Sequence, residues 1–326
     1  MRRIGLVLSF ALLVPVVAGA QPAGKVYHLG MLSPGARPAP SNVMTSNVLP
    51  TMLREMGYIE GQNLVIESRF ADGRLDRLSG LASELVQLRV DALVAASPPA
   101  VKAAKAKTST IPIVMMLAYS DPVELGLVAT YARPGGNVTG VAMAAEPAMA
   151  GKRLELIKEV VPRAVRIAVL TTGEDPSRTQ AQWIEKASTT LGIKPIFVEL
   201  RDDNYDRAFN AMVAAHADAL FVVASTILSA HHARIIDLAA KHRLPAIYDW
   251  REHAEAGGLL AYGGSVSAFA HRAAIYVDRI FKGARPADLP VERATKFELV
   301  INLKTAKALG LTIPQTLLLR ADQVID

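Results

Sequence analysis

Hydroxyl and carboxylate side chains stand directly after the short apolar segments of this 326-residue chain. In chain order they are Ser33, Ser97, Ser120, Asp121, Thr171, Thr172, Ser225, Thr226 and Asp249. Each of them alone is a common helix-capping residue, because Ser, Thr and Asp side chains accept hydrogen bonds from the free amides at a helix N-terminus. Grouped around one cleft, the hydroxyls, amides and carboxylates would suit a small ligand that has both a carboxylate and an ammonium group.

Two aspartates are candidates for the partner of that ammonium group. We expect either Asp121 or Asp249 to face it in a partly dry, closed cleft. Tyr248 and Tyr262 stand at strand ends and would supply an apolar or stacking wall, with a place in the core as the alternative for each. Gly263 completes the predicted ligand-binding set, because the chain is expected to cross between two lobes beside it.

The segment Gly263-Gly264-Ser265-Val266-Ser267 resembles the nucleophile elbow of a hydrolase, with Ser265 as the nucleophile. The closing glycine is missing, because Ser267 stands in its place, and His271 and Asp249 do not keep the order of serine, acid and histidine. Ser265 more simply caps the helix that follows it. We therefore predict a protein that is not an enzyme, with a secreted hydrolase that uses Ser265 as an alternative.

The motifs that resemble cofactor and metal sites are incomplete. Gly30 to Gly35 resembles the start of a phosphate-binding loop, but Ala36-Arg37 replaces the required Lys-Ser/Thr pair. His231 and His232 are adjacent, so on a helix they point about 100° apart and cannot share one ion. We expect both histidines at the surface and predict no cofactor and no metal.

Short segments rich in Val and Ile alternate with longer segments of helical period, which predicts an α/β fold with two Rossmann-like lobes built on parallel sheets. The strands predicted for the first sheet are 26–32, 64–69, 91–96, 111–117 and 138–143. Those predicted for the second sheet are 166–171, 194–199, 219–223, 246–248 and 259–262. Pro50 lies inside the first helical segment, so we expect that helix to start or kink there.

Three crossings of the chain define the predicted lobes. The first is expected near Met143 to Pro147, the second near Gly263-Gly264, and a further linker spans Pro286 to Pro290. The N-terminal lobe would then contain residues 25–144 and about 264–293. The C-terminal lobe would contain residues 145–263 and about 294–326.

The first 20 residues have the pattern of a cleaved signal peptide: Arg2 and Arg3, an apolar run to Ala18, and small residues at Ala18-Gly19-Ala20. The chain has no cysteine, so a lipid anchor on cysteine and disulfides are both excluded. Removal of residues 1–20 lowers the formal net charge by two, from +6 to +4, which is too mild to predict a nucleic-acid partner. We expect a periplasmic monomer.

Several segments resemble the ABC transporter substrate-binding protein family, whose members include receptors for tryptophan and other aromatic amino acids. These segments are Met56–Asn63, Ala132–Gly140, Gly151–Leu156, Leu244–Tyr248 and Phe297–Lys304. The resemblance implies a type I periplasmic binding fold, a hinge between the lobes, and a permease and an ATPase in the inner membrane as partners. A secreted sensor that delivers its ligand to another membrane protein is the alternative.

The resemblance also marks Asp121-Pro122-Val123 as part of the cleft. Two departures from the family pattern concern the ligand. Pro98 stands where members often have a threonine, and Glu174-Asp175-Pro176 replaces a loop that often contains Asn-Pro. The ligand of better-known members therefore does not transfer directly to this chain.

Overall fold

The computed structural model describes residues 25–37, 45–117, 120–143, 147–173, 175–201 and 203–326. The predicted signal peptide lies outside the described residues, as do residues 144–146 of the first crossing and Glu174. In the described part of the chain, no helix combines the length and the apolar character needed to cross a membrane.

Six parallel strands form the first sheet, in the order β11-β5-β4-β3-β1-β2. They are β1 (Tyr27–Ser33), β2 (Leu64–Phe70), β3 (Ala92–Ala95), β4 (Ile113–Leu117), β5 (Val138–Met143) and β11 (Glu292–Ala294). Buried apolar runs are typical of parallel strands that are covered by helices on both faces. The five predicted strands of this sheet are all present, and β11 is an addition that the sequence pattern did not reveal.

Seven strands form the second sheet, in the order β13-β12-β10-β9-β8-β6-β7. They are β6 (Arg166–Thr171), β7 (Lys194–Glu199), β8 (Ala219–Val222), β9 (Ala246–Trp250), β10 (Leu260–Gly264), β12 (Glu298–Asn302) and β13 (Gln323–Ile325). All neighbours are parallel except β10 and β12, which pair antiparallel. Twelve helices and two short 3-10 turns connect the strands in the described part of the chain.

The helices are α1 (Thr45–Glu55), α2 (Leu78–Gln87), α3 (Pro98–Lys107), α4 (Pro147–Val160), α5 (Asp175–Leu191), α6 (Tyr205–Ala214), α7 (Thr226–Ala230), α8 (His232–Lys241), α9 (Arg251–Glu255), α10 (Val266–Phe281), α11 (Leu303–Leu309) and α12 (Gln315–Leu318). Pro50 lies inside α1. The expectation that this helix starts at Pro50 is therefore wrong, because the helix begins five residues earlier. The proline costs the helix one backbone hydrogen bond near its N-terminus.

Each sheet has its own apolar core. In the first lobe, alternate strand residues such as Leu29 and Val94 pack against α1 and α10, while Leu93 and Ile113 pack on the other face against α2 and α3. In the second lobe, α4 and α5 pack together, as do α6 and α8, around a separate cluster. Separate cores allow each lobe to move as a rigid body.

The chain passes between the sheets three times. It leaves the first sheet after β5 and enters α4, returns from β10 to α10 through Ser265, and leaves again from β11 to β12. Helix α10 packs on strands of the first sheet, and β12 and β13 belong to the second. All the strands that lead into crossings lie toward one edge of their sheets.

Candidate ligand-binding cleft

The loops at the carboxyl ends of the parallel strands of both lobes face each other. The Thr226 hydroxyl, after β8 of the second lobe, donates a hydrogen bond of 3.2 Å to the carbonyl of Ala96, after β3 of the first lobe. Gly35, after β1, lies so close to the second lobe that a Cβ atom there would be 3.1 Å from the Thr226 carbonyl oxygen. Open α/β sheets bind ligands in this position, beyond the carboxyl ends of the strands.

Ser97 caps the helix that begins at the first-lobe wall. Its Oγ accepts a hydrogen bond of 3.3 Å from the amide of Ala100, and the Val101 amide donates to the Ser97 carbonyl. Pro98 and Pro99 form the first turn of α3 and have no amide hydrogen. The N-terminus of α3 therefore has no amide left for a ligand anion, and Ser97 presents only its hydroxyl.

Buried hydroxyls are grouped at the second-lobe wall. The Thr172 Oγ1 lies 3.0 Å from the Ser177 Oγ and donates to the Ser225 Oγ at 3.3 Å. Ser225 caps α7 by accepting from the amides of Ile227 and Leu228. The structure brings Thr172, Ser225 and Thr226 together, as expected for one side of a cleft. The Thr171 Oγ1, in contrast, donates to the carbonyl of Val198 in the neighbouring strand.

The other first-lobe candidates also follow strand ends. The Ser33 Oγ accepts a hydrogen bond from the amide of Gly35 at 3.3 Å, and Ser120 is buried. Asp121 is half-buried, and its Oδ1 accepts from the amide of Val123 at 2.7 Å. Burial, followed by the nearby Asp121 carboxylate, raises the pKa of Tyr131. The Asp121 charge therefore lies near Tyr131, in the segment that leads to β5.

Asp249 lies inside the second lobe. Its side chain is 1% exposed, and its Oδ1 is 3.3 Å from the Nδ1 of His253. His232 stacks on His253 with 4.9 Å between ring centroids and is buried, so the expectation of a surface position for His232 is wrong. Desolvation, followed by the neighbouring His253, lowers the pKa of His232 to about 4. Asp249 thus faces a buried imidazole pair of its own lobe.

The two candidate tyrosines lie apart from the cluster of buried Thr and Ser hydroxyls. Tyr248 is 1% exposed and belongs to the second-lobe core, where a Cβ atom at Gly258 would be 2.7 Å from its ring. Burial raises the pKa of its hydroxyl. The half-buried Tyr262 ring packs near Phe297 and lines a groove between α4 and α5. A core position explains Tyr248, and Tyr262 lies on the flank of the second lobe.

Gly263 and its neighbours belong to the second crossing. Gly263 pairs with Glu298 of β12, and a Cβ atom on Gly264 would lie 3.1 Å from the Trp250 ring. Trp250 extends from β9 of the second lobe into the apolar cluster of the first lobe, against Phe269. No sequence pattern predicted this role of Trp250, although its being one of only two tryptophans was an available signal.

Ser265 caps α10, as expected. Its Oγ accepts from the Ala268 amide at 3.2 Å and donates to the Glu252 Oε1 at 2.7 Å. The same Glu252 oxygen accepts from the Ser267 amide at 3.1 Å. Glu252 of the second lobe therefore holds the N-terminus of a first-lobe helix, and the Ser265 hydroxyl is engaged in this contact.

A cavity of about 440 Å³ lies between the lobes at the edge opposite the crossings. Asp72, Gly73 and Arg74 of the first lobe face Thr172, Gly173 and Asp203 of the second. The lobes therefore enclose space along the cleft while touching at Thr226.

Two cored α/β lobes with three crossings and polar loops facing across a cleft define a two-lobed substrate-binding protein. In agreement, residues 40–325 match the family model for ABC transporter substrate binding protein. The chain belongs to that family, and its fold is the type I periplasmic binding fold of the solved relatives. Proteins of this family bind substrates.

Three relatives describe the family around this chain. The tyrosine-binding protein of Clostridioides difficile (strain R20291) is 26% identical over 260 residues, covering 79% of this chain and 74% of the relative. The ABC domain in complex with L-Trp from Streptococcus pneumoniae is 26% identical, with a TM-score of 0.78 over 92% of this chain and 100% of the other. The ligand-free, open structure of a substrate-binding protein with adhesive properties from Clostridium difficile is 24% identical, with a TM-score of 0.58 over 92% and 99%. By TM-score, the overall structure is thus more similar to the complex than to the open structure.

Proposed function

We propose that this protein captures an aromatic amino acid in the cleft between its lobes and delivers it to an ABC importer. The observation that supports this most directly is the meeting of the two sets of strand-end loops, with Thr226 hydrogen-bonded to Ala96 across the cleft. A ligand held between such loops is enclosed by both lobes. Enclosure removes water and strengthens every polar contact to the ligand.

Two serines that follow strands of the first lobe suit the ligand carboxylate. Ser33 and Ser97 each accept a hydrogen bond from a backbone amide, which uses an oxygen lone pair and leaves the hydroxyl hydrogen to donate. No acceptor for either hydrogen lies among the described residues. A carboxylate between the lobes would accept from these hydroxyls, and Asp121 is the acidic side chain that we assign to the ammonium group.

The relatives support an aromatic side chain on the ligand. One of them is described as tyrosine-binding and another as a complex with L-Trp. We further propose that the chain is exported with cleavage after Ala20, acts as a periplasmic monomer without a lipid anchor, and meets a permease and an ATPase at the inner membrane. Identification of the first residue of the mature protein as Gln21 would support the export step.

Calorimetric titration tests the ligand. The protein is first unfolded to remove any bound ligand and is then refolded before the titration. L-tryptophan, L-tyrosine and L-phenylalanine should bind with saturable heats. Indole lacks the carboxylate and ammonium groups, and L-alanine lacks the aromatic ring. Each should bind at least about 100-fold more weakly, because buried polar or apolar groups of the site would then have no partner on the ligand. Equal binding of indole would contradict an amino-acid site.

Transport distinguishes an importer from a sensor. Proteoliposomes that contain the permease and ATPase encoded beside this chain should take up the labelled amino acid only when the protein and ATP are both present. Uptake that does not depend on the protein would contradict the importer function while leaving ligand capture intact.

A further inference from the structure

A second cavity, of about 550 Å³, lies at the outer edge of the second lobe. Helix α5, the edge strand β7 and helix α6 form its walls. Three arginines come together around it: Arg178 from α5, Arg201 after β7 and Arg207 from α6. These residues are separate in sequence, and only the packing of α5 and α6 beside β7 brings them to one cavity.

Two of the three guanidinium groups are uncompensated. Arg201 is 3.4 Å from Glu199, and both side chains are exposed, so that pair is weak. Arg178 and Arg207 have no acidic partner among the residues that the structure describes. The acid nearest to Arg207 in sequence, Asp206, pairs with Arg234 instead. With three arginines and one glutamate in its lining, this cavity has an excess of two positive charges.

The interior of the cavity is polar, and Glu199, the one acidic residue of its lining, lies beside Arg201. Thr171, Thr172 and Ser177 line it and are each more than nine-tenths buried. The exposed Phe197 ring forms an apolar part of the wall. These hydroxyls are engaged within the lobe, so the guanidinium groups are the donors for a ligand. The planar guanidinium donates two parallel hydrogen bonds to carboxylate and phosphate groups.

We propose that this cavity is a binding site for a small organic dianion, namely a phosphate monoester or a dicarboxylate, separate from the amino-acid cleft. Two negative charges match the two unpaired arginines. The volume exceeds that of a bare phosphate and lies within the range of small-molecule sites. Thr172 lines both this cavity and the cavity between the lobes, but none of the three arginines lines the latter. The proposal therefore does not depend on the identity of the cleft ligand.

Calorimetric titration with glycerol 3-phosphate and with succinate, in about 20 mM salt to limit screening, provides the test. Glycerol and succinamide are the matched uncharged probes. Both dianions should bind saturably and the uncharged probes should not. Arg178→Ala and Arg207→Ala should each weaken dianion binding about tenfold, the loss expected for one charged hydrogen-bonding group.

Arg54→Ala is the matched control, because Arg54 is an exposed arginine of α1 in the other lobe and its removal changes the net charge equally. It should change dianion affinity less than twofold, and all three variants should keep their melting temperature and their affinity for the cleft ligand. Arg178→Lys and Arg207→Lys, which keep the charge but lose the planar fork, should give an intermediate loss. Absence of saturable binding up to about 10 mM dianion, or an equal loss in Arg54→Ala, would overturn the proposal.

Discussion

At the scale of single residues, two of the candidate binding side chains are held by hydrogen bonds from backbone amides of the turns that follow them. Ser97 accepts from the Ala100 amide, and Asp121 accepts from the Val123 amide. A side chain fixed by such a bond has lost its rotamer freedom before a ligand arrives. Binding then costs less conformational entropy, which favours affinity for a small ligand.

The two candidate aspartates should have different roles, Asp121 in ligand binding and Asp249 in the stability of the fold. Asp121→Asn removes the negative charge beside the proposed ammonium group and should weaken amino-acid affinity about 30-fold or more, with the melting temperature unchanged. Asp249→Asn removes a buried charge beside His253 and should lower the free energy of unfolding by about 1–3 kcal/mol. Calorimetry and urea unfolding measure the two effects. The assignment fails if Asp249→Asn is fully stable and loses the ligand.

His232 should make the protein sensitive to mild acid. Its pKa is lowered to about 4 by burial, whereas an unfolded chain has a histidine pKa near 6.5, so below that pH the unfolded state takes up the proton first. The contribution of neutral His232 to the free energy of unfolding is fully present above pH 6.5. It decreases as the pH falls through that value and is fully lost below about pH 4. We expect a loss of about 2 kcal/mol between pH 7 and pH 5.

Urea unfolding of the native protein and of His232→Gln at pH 7 and pH 5 measures this loss. The glutamine retains a donor for the Ser229 carbonyl, which lies 2.9 Å from the His232 Nδ1, but it does not titrate. The variant should lose about 2 kcal/mol less than the native protein over this interval. An identical pH dependence of the two proteins would contradict the assignment.

At the scale of elements, the second crossing is held by a contact that spans the lobes. Glu252 of α9 accepts from the Ser267 amide and from the Ser265 hydroxyl at the start of α10. A carboxylate at a helix N-terminus is stabilised by the helix dipole and by the free amides. The contact lies beside the pivot of hinge motion, where the positions of the two elements change least.

Glu252→Gln should therefore lower the free energy of unfolding by about 1 kcal/mol, because the neutral amide interacts more weakly with the helix N-terminus. Glu255→Gln is the matched control: it makes the same chemical change one turn later in α9, in a partly exposed pair with Arg251. The control should change stability by less than about 0.5 kcal/mol. Thermal unfolding of both variants decides between an inter-lobe contact and a general effect of lost charge.

The long apolar elements were predictable from the sequence, whereas elements defined only by packing were not. Strands β5, β6 and β7 have the predicted bounds because their Val- and Ile-rich segments end at clear turns. Strands β11 and β13 have three residues each and mixed polarity, so only their neighbours in the sheets define them. Likewise, no local pattern distinguishes the buried His232 from the half-exposed His231, because its burial depends on His253 across a helix packing contact.

At the scale of the whole molecule, a small residue in the cleft allows the two lobes to approach each other closely. Gly35 has no side chain, and only this allows its backbone to approach Thr226 and Ala230 of the other lobe. Closure in this family fold is a hinge motion.

Gly35→Val should keep the lobes apart. A Cβ atom at this position would lie 3.1 Å from the Thr226 carbonyl oxygen and 3.3 Å from the Ala230 Cβ, and valine adds two methyl groups beyond it. Amino-acid affinity should fall about tenfold or more, while the melting temperature of the ligand-free protein stays unchanged. Gly136→Val is the control, because a Cβ atom there meets no other atom within 4 Å. Small-angle scattering with saturating ligand should show compaction for the control and not for Gly35→Val.

Because of the strand order of the two sheets, a rotation at the crossings moves the far edge of each lobe the most. The strands that lead into the crossings lie toward one edge, and β2 and β7 lie at the opposite edges. Strand β2 is five strand spacings from β11, or roughly 24 Å, so a rotation of about 10° at the pivot displaces the far edge by roughly 4 Å. Because the chain has no cysteine, thiols introduced at Asp76 and Asn210 would be its only labelling sites. A probe pair there would amplify small changes of hinge angle into a measurable distance, whereas a pair at Asp76 and Lys107, within one lobe, would register none.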